Sequence, residues 1–214
     1  MKHYGLPPLV HRRFEPEWTE FMHYLYLPVR FPGTNIRLPR RLEMLRPMVD
    51  IAADFSQSDD YIYLTAERSW VQPGATQNRP GWHCDGFGTD DDTLIWASRS
   101  GTQWLDFPSS EISEDHIRSL AQFDALAAEH PDHIRQCPEG VIAQINPYVI
   151  HAAPVEVTAG MRSWAKVSVS KHLYNLEGNS HNYLFDYDWK MWSREEARNH
   201  PSFAGADFIQ EDGR

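Results

Sequence analysis

The sequence predicts a mainly β chain with a few flanking helices, folded as a double-sheet antiparallel barrel of the jelly-roll type. Three observations carry that expectation. Short alternating runs rich in β-branched and aromatic residues recur between residues 61 and 170. Only two stretches space their apolar residues strongly as a helix does. Fifteen prolines and twelve glycines separate these runs without any low-complexity segment. At 214 residues the chain is long enough for one well-buried core. It reads as a single domain over 1–214, with a barrel core at about 60–172, an N-terminal arm and helix at 1–59, and an aromatic and helical C-terminal segment at 173–214.

Each element follows from local chemistry. Residues 1–37 are irregular and rich in proline and aromatics (Trp18, Phe21, Tyr24, Tyr26), an arm of short strands or turns over the core. Between 39 and 54, Leu42, Leu45, Met48, Val49 and Ala52 keep helical spacing; Pro39 starts that helix well, and Pro47 is expected to end or kink it. Residues 61–71 alternate as a strand, and a loop punctuated by Pro73-Gly74 and Pro80-Gly81 delivers the chain to His83. Strands follow at 93–98 and 103–107 across the turn Arg99-Ser100-Gly101-Thr102. The strongest helix spans 113–129, with Ser113 as N-cap, Glu114 and Asp115 at its positive end, and Ile117, Leu120, Phe123, Leu126 and Ala127 as its apolar stripe; Pro131 stops it. Strands at 141–145 and 162–170, extended chain at 148–157, an aromatic stretch at 181–192 and a polar helix from Ser193 complete the chain.

A net charge of −10 and a pI near 5.5 count against nucleic acid as a partner. No run approaches the roughly 18 apolar residues of a membrane span, and residues 1–10 lack the apolar core of a signal peptide. Cys84 and Cys137 are too few for a disulfide framework. A reducing cytoplasm is the expected location.

The chemistry concentrates in His83-Cys84-Asp85, His151 sixty-six residues after Asp85, and Arg162 eleven residues further on. In extended chain, His83 and Asp85 project to one side and Cys84 to the other. Two imidazoles and a carboxylate on one face of a metal leave the opposite positions open, which suits non-haem Fe(II). H-x-D alone is weak, and His130-Pro131-Asp132 repeats it at a helix end, where surface capping is the better reading. Taken singly, His151 reads equally well as a core histidine and Asp85 as a turn cap. In the last strand, Arg162, Trp164, Lys166 and Ser168 share one face and Ser163, Ala165, Val167 and Val169 the other. The cationic face lies either in solvent or along a polar cavity, and the short turn at Thr158-Ala159-Gly160 places Arg162 on a strand adjacent to His151.

The runs Gly81-Trp82-His83-Cys84-Asp85-Gly86, Pro147-Tyr148-Val149-Ile150-His151-Ala152-Ala153-Pro154 and Gly160-Met161-Arg162-Ser163-Trp164 together resemble the Fe(II)/2-oxoglutarate-dependent dioxygenase superfamily over residues 60–172. That resemblance implies a double-stranded β-helix in which His83, Asp85 and His151 bind Fe(II), and Arg162 pairs with the far carboxylate of 2-oxoglutarate. It makes Thr102 a candidate hydroxyl donor to that carboxylate and Lys166 a candidate substrate contact; Trp164, among the tryptophans around the barrel, and Arg99, flanking its mouth, are further candidate substrate contacts from the strand reading. The chain departs from the common pattern at Trp164, where a serine usually stands two residues after the arginine. The implied reaction is oxidative decarboxylation of 2-oxoglutarate to succinate and CO2, coupled through O2 to hydroxylation of a small molecule or amino-acid-like substrate. Halogenation is disfavoured because Asp85 keeps the carboxylate ligand.

Two rivals stay open: a cupin-type Zn or Mn hydrolase or isomerase, indifferent to 2-oxoglutarate, and a non-catalytic jelly-roll binding module in which His83 and Asp85 are structural. Substrate and oligomeric state are not legible.

Overall fold

Alternation along one strand organises the whole molecule. In the computed structural model, which describes residues 2–75, 79–154 and 156–194, strand β9 (Gly160–Ser170) buries nearly every residue on both faces. On one side β3 (Tyr61–Val71) pairs with it along its whole length, from Tyr61 opposite Ser170 to Val71 opposite Gly160. On the other side lies β4 (Asp92–Ala97), followed by β7 (Val141–Ile145) and the edge strand β1 (Leu9–Arg13). Beyond β3, the opposite edge is β2 (Met22–Arg30). All five pairings in this six-stranded sheet are antiparallel. A smaller antiparallel sheet joins β6 (Ile134–Gln136), β5 (Gln103–Leu105) and β8 (His151–Ala152).

The outer face of the large sheet is apolar: Leu64, Ala66, Leu94, Trp96, Ala165 and Val167 pack in one cluster with Leu42, Leu45, Met48, Val49 and Ala52. Those five are the residues expected to form the helical stripe, and all are fully buried. The helical stretch is divided at Pro47, as the proline predicts. A 3-10 turn at Arg40–Leu45 ends there, and Pro47 sits in the first turn of α1 (Arg46–Phe55), where a missing N–H costs nothing.

The inner face meets the small sheet through Ile95, Ala143, Ile145, Val149, Cys137 and Trp104. On the small sheet's far side, Leu105 and Ile150 pack against Phe123 and Ala127 of α2 (His116–Glu129). The layers therefore run helix, large sheet, small sheet, helix. This is a mostly antiparallel β fold with few helices; its two sheets are hydrogen-bonded separately and do not close into one barrel among the described residues.

Several expectations are corrected. Helix α2 begins three residues later than Ser113, because Asp115 accepts the Arg118 N–H and is the N-cap; Ile117 is left 63% exposed, outside the stripe. Part of the N-terminal arm forms the two edge strands of the main sheet. Among the described residues of the expected extended stretch at 148–157, only His151–Ala152 is strand. Strands β8 and β9 are not neighbours: they belong to different sheets, and the link through Pro154 crosses between them rather than turning a hairpin. The helix expected from Ser193 lies almost wholly outside the described residues.

Candidate metal centre

His83 lies beside β8. Its N–H donates to the His151 carbonyl and the His151 N–H donates to the His83 carbonyl, both at 2.9 Å. The third ligand is thus on a directly paired segment, not on a distant opposing strand. Gly86, with a left-handed φ of +67°, turns the chain immediately after Asp85, and Thr89 closes that turn through both its N–H and its hydroxyl onto the Gly86 carbonyl. Cys84 points away from the site into the α2 cluster, buried, its thiol pushed well above the ordinary range first by that burial.

The imidazole tautomers follow from their partners. His83 Nδ1 lies 2.9 Å from the Gly81 carbonyl, and His151 Nδ1 lies 2.9 Å from the Val149 carbonyl. A carbonyl only accepts, so each Nδ1 carries the proton and each Nε2 presents a lone pair. Those Nε2 atoms stand 4.0 and 3.9 Å from the two Asp85 carboxylate oxygens, and one ligand atom from each residue falls within 4.8 Å of the others. Burial, and after it His151, drives His83 down from 6.5 to about 4, so it stays neutral near neutral pH. Although burial pushes the Asp85 carboxyl upward, Lys166 and the two imidazoles hold it well below the usual carboxylate range.

Lys166 is 6% exposed; its Nζ lies 3.1 Å from Asp85 Oδ2 and 2.7 Å from Tyr26 Oη. Burial lowers its pKa, but Asp85 and Tyr26 outweigh burial and raise it above the lysine norm. These groups open onto a cavity of about 300 Å³ whose walls include Thr65, Glu67, Arg79, Thr102, Trp164 and Arg194. Two residues of the cationic face of β9, Trp164 and Lys166, therefore line a polar cavity, and the rest of that face is buried.

The structure brings His83, Asp85, His151, Thr102, Trp164 and Lys166 together at this cavity. Arg162 and Arg99 are not on its wall. Arg162 is 2% exposed, and its guanidinium donates to the carbonyls of Arg99 (3.1 Å) and Ser100 (3.3 Å); burial lowers its pKa to about 10, opposed by Glu67. Arg99 lies over Gly160, where an added Cβ would come within 2.3 Å of its Nη1. The decoy His130 stacks on Phe107, 3.6 Å between ring centroids, at the end of α2.

Sequence reasoning missed Tyr26 and Glu67. Glu67 faces Trp164 across the β3–β9 ladder, a placement that strand alternation would have revealed once the pairing was known. Tyr26 sits at a break in the β2–β3 register with a left-handed φ of +46°, which no local sequence signal announces.

No family model and no curated protein matches this chain. Among solved structures, it is similar to EvdO2 from Micromonospora carbonacea var. aurantiaca, at 15% sequence identity and a TM-score of 0.38. The match covers 62% of this chain and 60% of that one, so the chain spans less than two thirds of EvdO2's length.

Proposed function

We propose that the protein is an Fe(II)- and 2-oxoglutarate-dependent oxygenase of a small molecule or amino-acid-like substrate, its two sheets an open form of the double-stranded β-helix. The supporting observation is the convergence of two Nε2 lone pairs and one carboxylate at the wall of a 300 Å³ cavity. Two nitrogens and one oxygen fit Fe(II), whose remaining positions would face the cavity. When bound, Fe(II) would supply O2 activation and the oxidative decarboxylation of 2-oxoglutarate.

The chain's own residues do the rest. The Gly81 and Val149 carbonyls fix both imidazoles in their ligating tautomer. Lys166 neutralises Asp85, so a divalent ion held there would leave an excess of about two positive charges. A dianionic co-substrate such as 2-oxoglutarate cancels that excess. Lys166 is the buried cation of the cavity wall, with the Thr102 hydroxyl and the Trp164 ring on the same lining. Arg162, held on two main-chain carbonyls, serves as the anchor only if it exchanges those bonds for a carboxylate.

That engagement of Arg162 favours one second reading, a cupin-type Zn or Mn hydrolase or isomerase on the same ligand set. The test is substrate-independent turnover: purified protein with Fe(II), O2 and 2-oxoglutarate, assayed for succinate, in wild type, His151→Ala and Arg162→Ala. Succinate formation that His151→Ala abolishes supports the oxygenase. Metal binding without succinate, unchanged by Arg162→Ala, supports the metal hydrolase or isomerase.

A further inference from the structure

Tyr26 belongs to two cavities. One is the metal cavity; the other, of about 210 Å³, lies behind it in the C-terminal aromatic segment. The left-handed backbone of Tyr26 is pinned where the β2 ladder opens. Its own N–H donates to the Thr65 hydroxyl (3.0 Å), while the neighbouring Leu25 exchanges two hydrogen bonds with Ser180, through the Ser180 N–H (2.7 Å) and the Ser180 hydroxyl (3.0 Å). The ring thus becomes a partition, one edge against Tyr174 at 5.0 Å and the hydroxyl on Lys166. A second bridge joins the same walls: Arg194, on the metal cavity, donates to Asn179 Oδ1, on the other, at 2.5 Å.

The two sides differ in charge. Lys166, Arg79 and Arg194 line the metal cavity and outnumber its carboxylates, Asp85 and Glu67. The second cavity has Asp188 as its carboxylate, with no ion pair among the described residues, and the rings of Tyr174, Tyr187, Trp189 and His181. Those rings hold one another in place: His181 stacks on Tyr187 at 4.2 Å and Trp189 leans on Tyr187 at 4.5 Å, so the lining is set before a ligand arrives. An aromatic lining with a single carboxylate suits an organic ammonium group, drawn by the ring quadrupoles and by the counter-charge.

We propose that the second cavity is a binding site for an organic ammonium group, set apart from the metal cavity by Tyr26. That assignment stands without the metal-centre reading above. The test uses the full chain without metal, titrated calorimetrically with choline and with its neutral isostere 3,3-dimethylbutan-1-ol. Choline is expected to bind saturably and about tenfold more tightly than the alcohol. Asp188→Asn and Trp189→Leu should each weaken choline about tenfold while leaving the circular dichroism spectrum unchanged. His151→Ala should leave choline binding intact, separating this subsite from the metal reading. Equal binding of alcohol and choline, no saturable choline binding, or indifference to both subsite variants would overturn the assignment.

Discussion

At the scale of single residues, Lys166 decides how the site meets a cation. Its ammonium already holds Asp85 at 3.1 Å, so an entering metal ion must share that carboxylate with a positive charge. Lys166→Met is therefore expected to tighten Mn(II) binding by about tenfold or more, while weakening the binding of 2-oxoglutarate to the loaded protein. Calorimetric titration of each ligand checks both signs, and a variant that loses metal affinity would contradict this role. His83 gives a second prediction, for the metal-free protein. Folded, it takes up a proton only near pH 4, against 6.5 for the ordinary side chain. Between those values the unfolded chain holds more protons, so stability rises with pH across that window and falls as pH drops from 6.5 to 4. The urea midpoint should follow that slope, and His83→Gln should flatten it. At this scale the sequence was informative where residues act through local geometry: His83 and Asp85, two apart in extended chain, did fall on one side with Cys84 on the other. It was silent on Tyr26, whose place depends on a ladder break stitched by Thr65 and by Ser180, more than a hundred residues away.

At the scale of elements, the turn after the ligand pair is the most constrained. A Cβ on Gly86 would meet the Asp91 Cβ at 2.8 Å and the Thr89 hydroxyl oxygen at 2.9 Å, on a left-handed backbone. Gly86→Ala should cost about 1–3 kcal/mol of stability and weaken metal binding by moving Asp85. Thermal melts and Mn(II) titration measure the two effects separately; a neutral substitution would show that this turn does not aim the carboxylate. Strands β3 and β7 carry the bounds that alternation gave, and the 3-10 turn and α1 together bury the five residues the helical spacing selected. Pairing was harder to read. Eleven residues and a glycine turn between His151 and Arg162 look like a hairpin, yet the connection passes from one sheet to the other, because register is settled by partners and not by loop length.

Across the whole molecule, the polar inner face of the large sheet survives burial because it borders a cavity, while its apolar outer face is sealed by α1. Leu45, fully buried in that seal, is a sensitive probe: Leu45→Ala should cost about 2–5 kcal/mol in urea unfolding without changing metal affinity in the folded protein. An overall charge of −10 coexists with three cations against two carboxylates at one cavity, a local excess that attracts small anions there. None of the helices is long and apolar enough to cross a membrane among the described residues. The central claim is that His83, Asp85 and His151 hold Fe(II) with 2-oxoglutarate beside it. Anaerobic titration of the metal-free protein with Fe(II) and then 2-oxoglutarate tests it most directly, through the weak visible charge-transfer band of the chelate. The account expects that band in the wild type and its loss in His151→Ala. Tight Fe(II) binding with no band at saturating 2-oxoglutarate would contradict it.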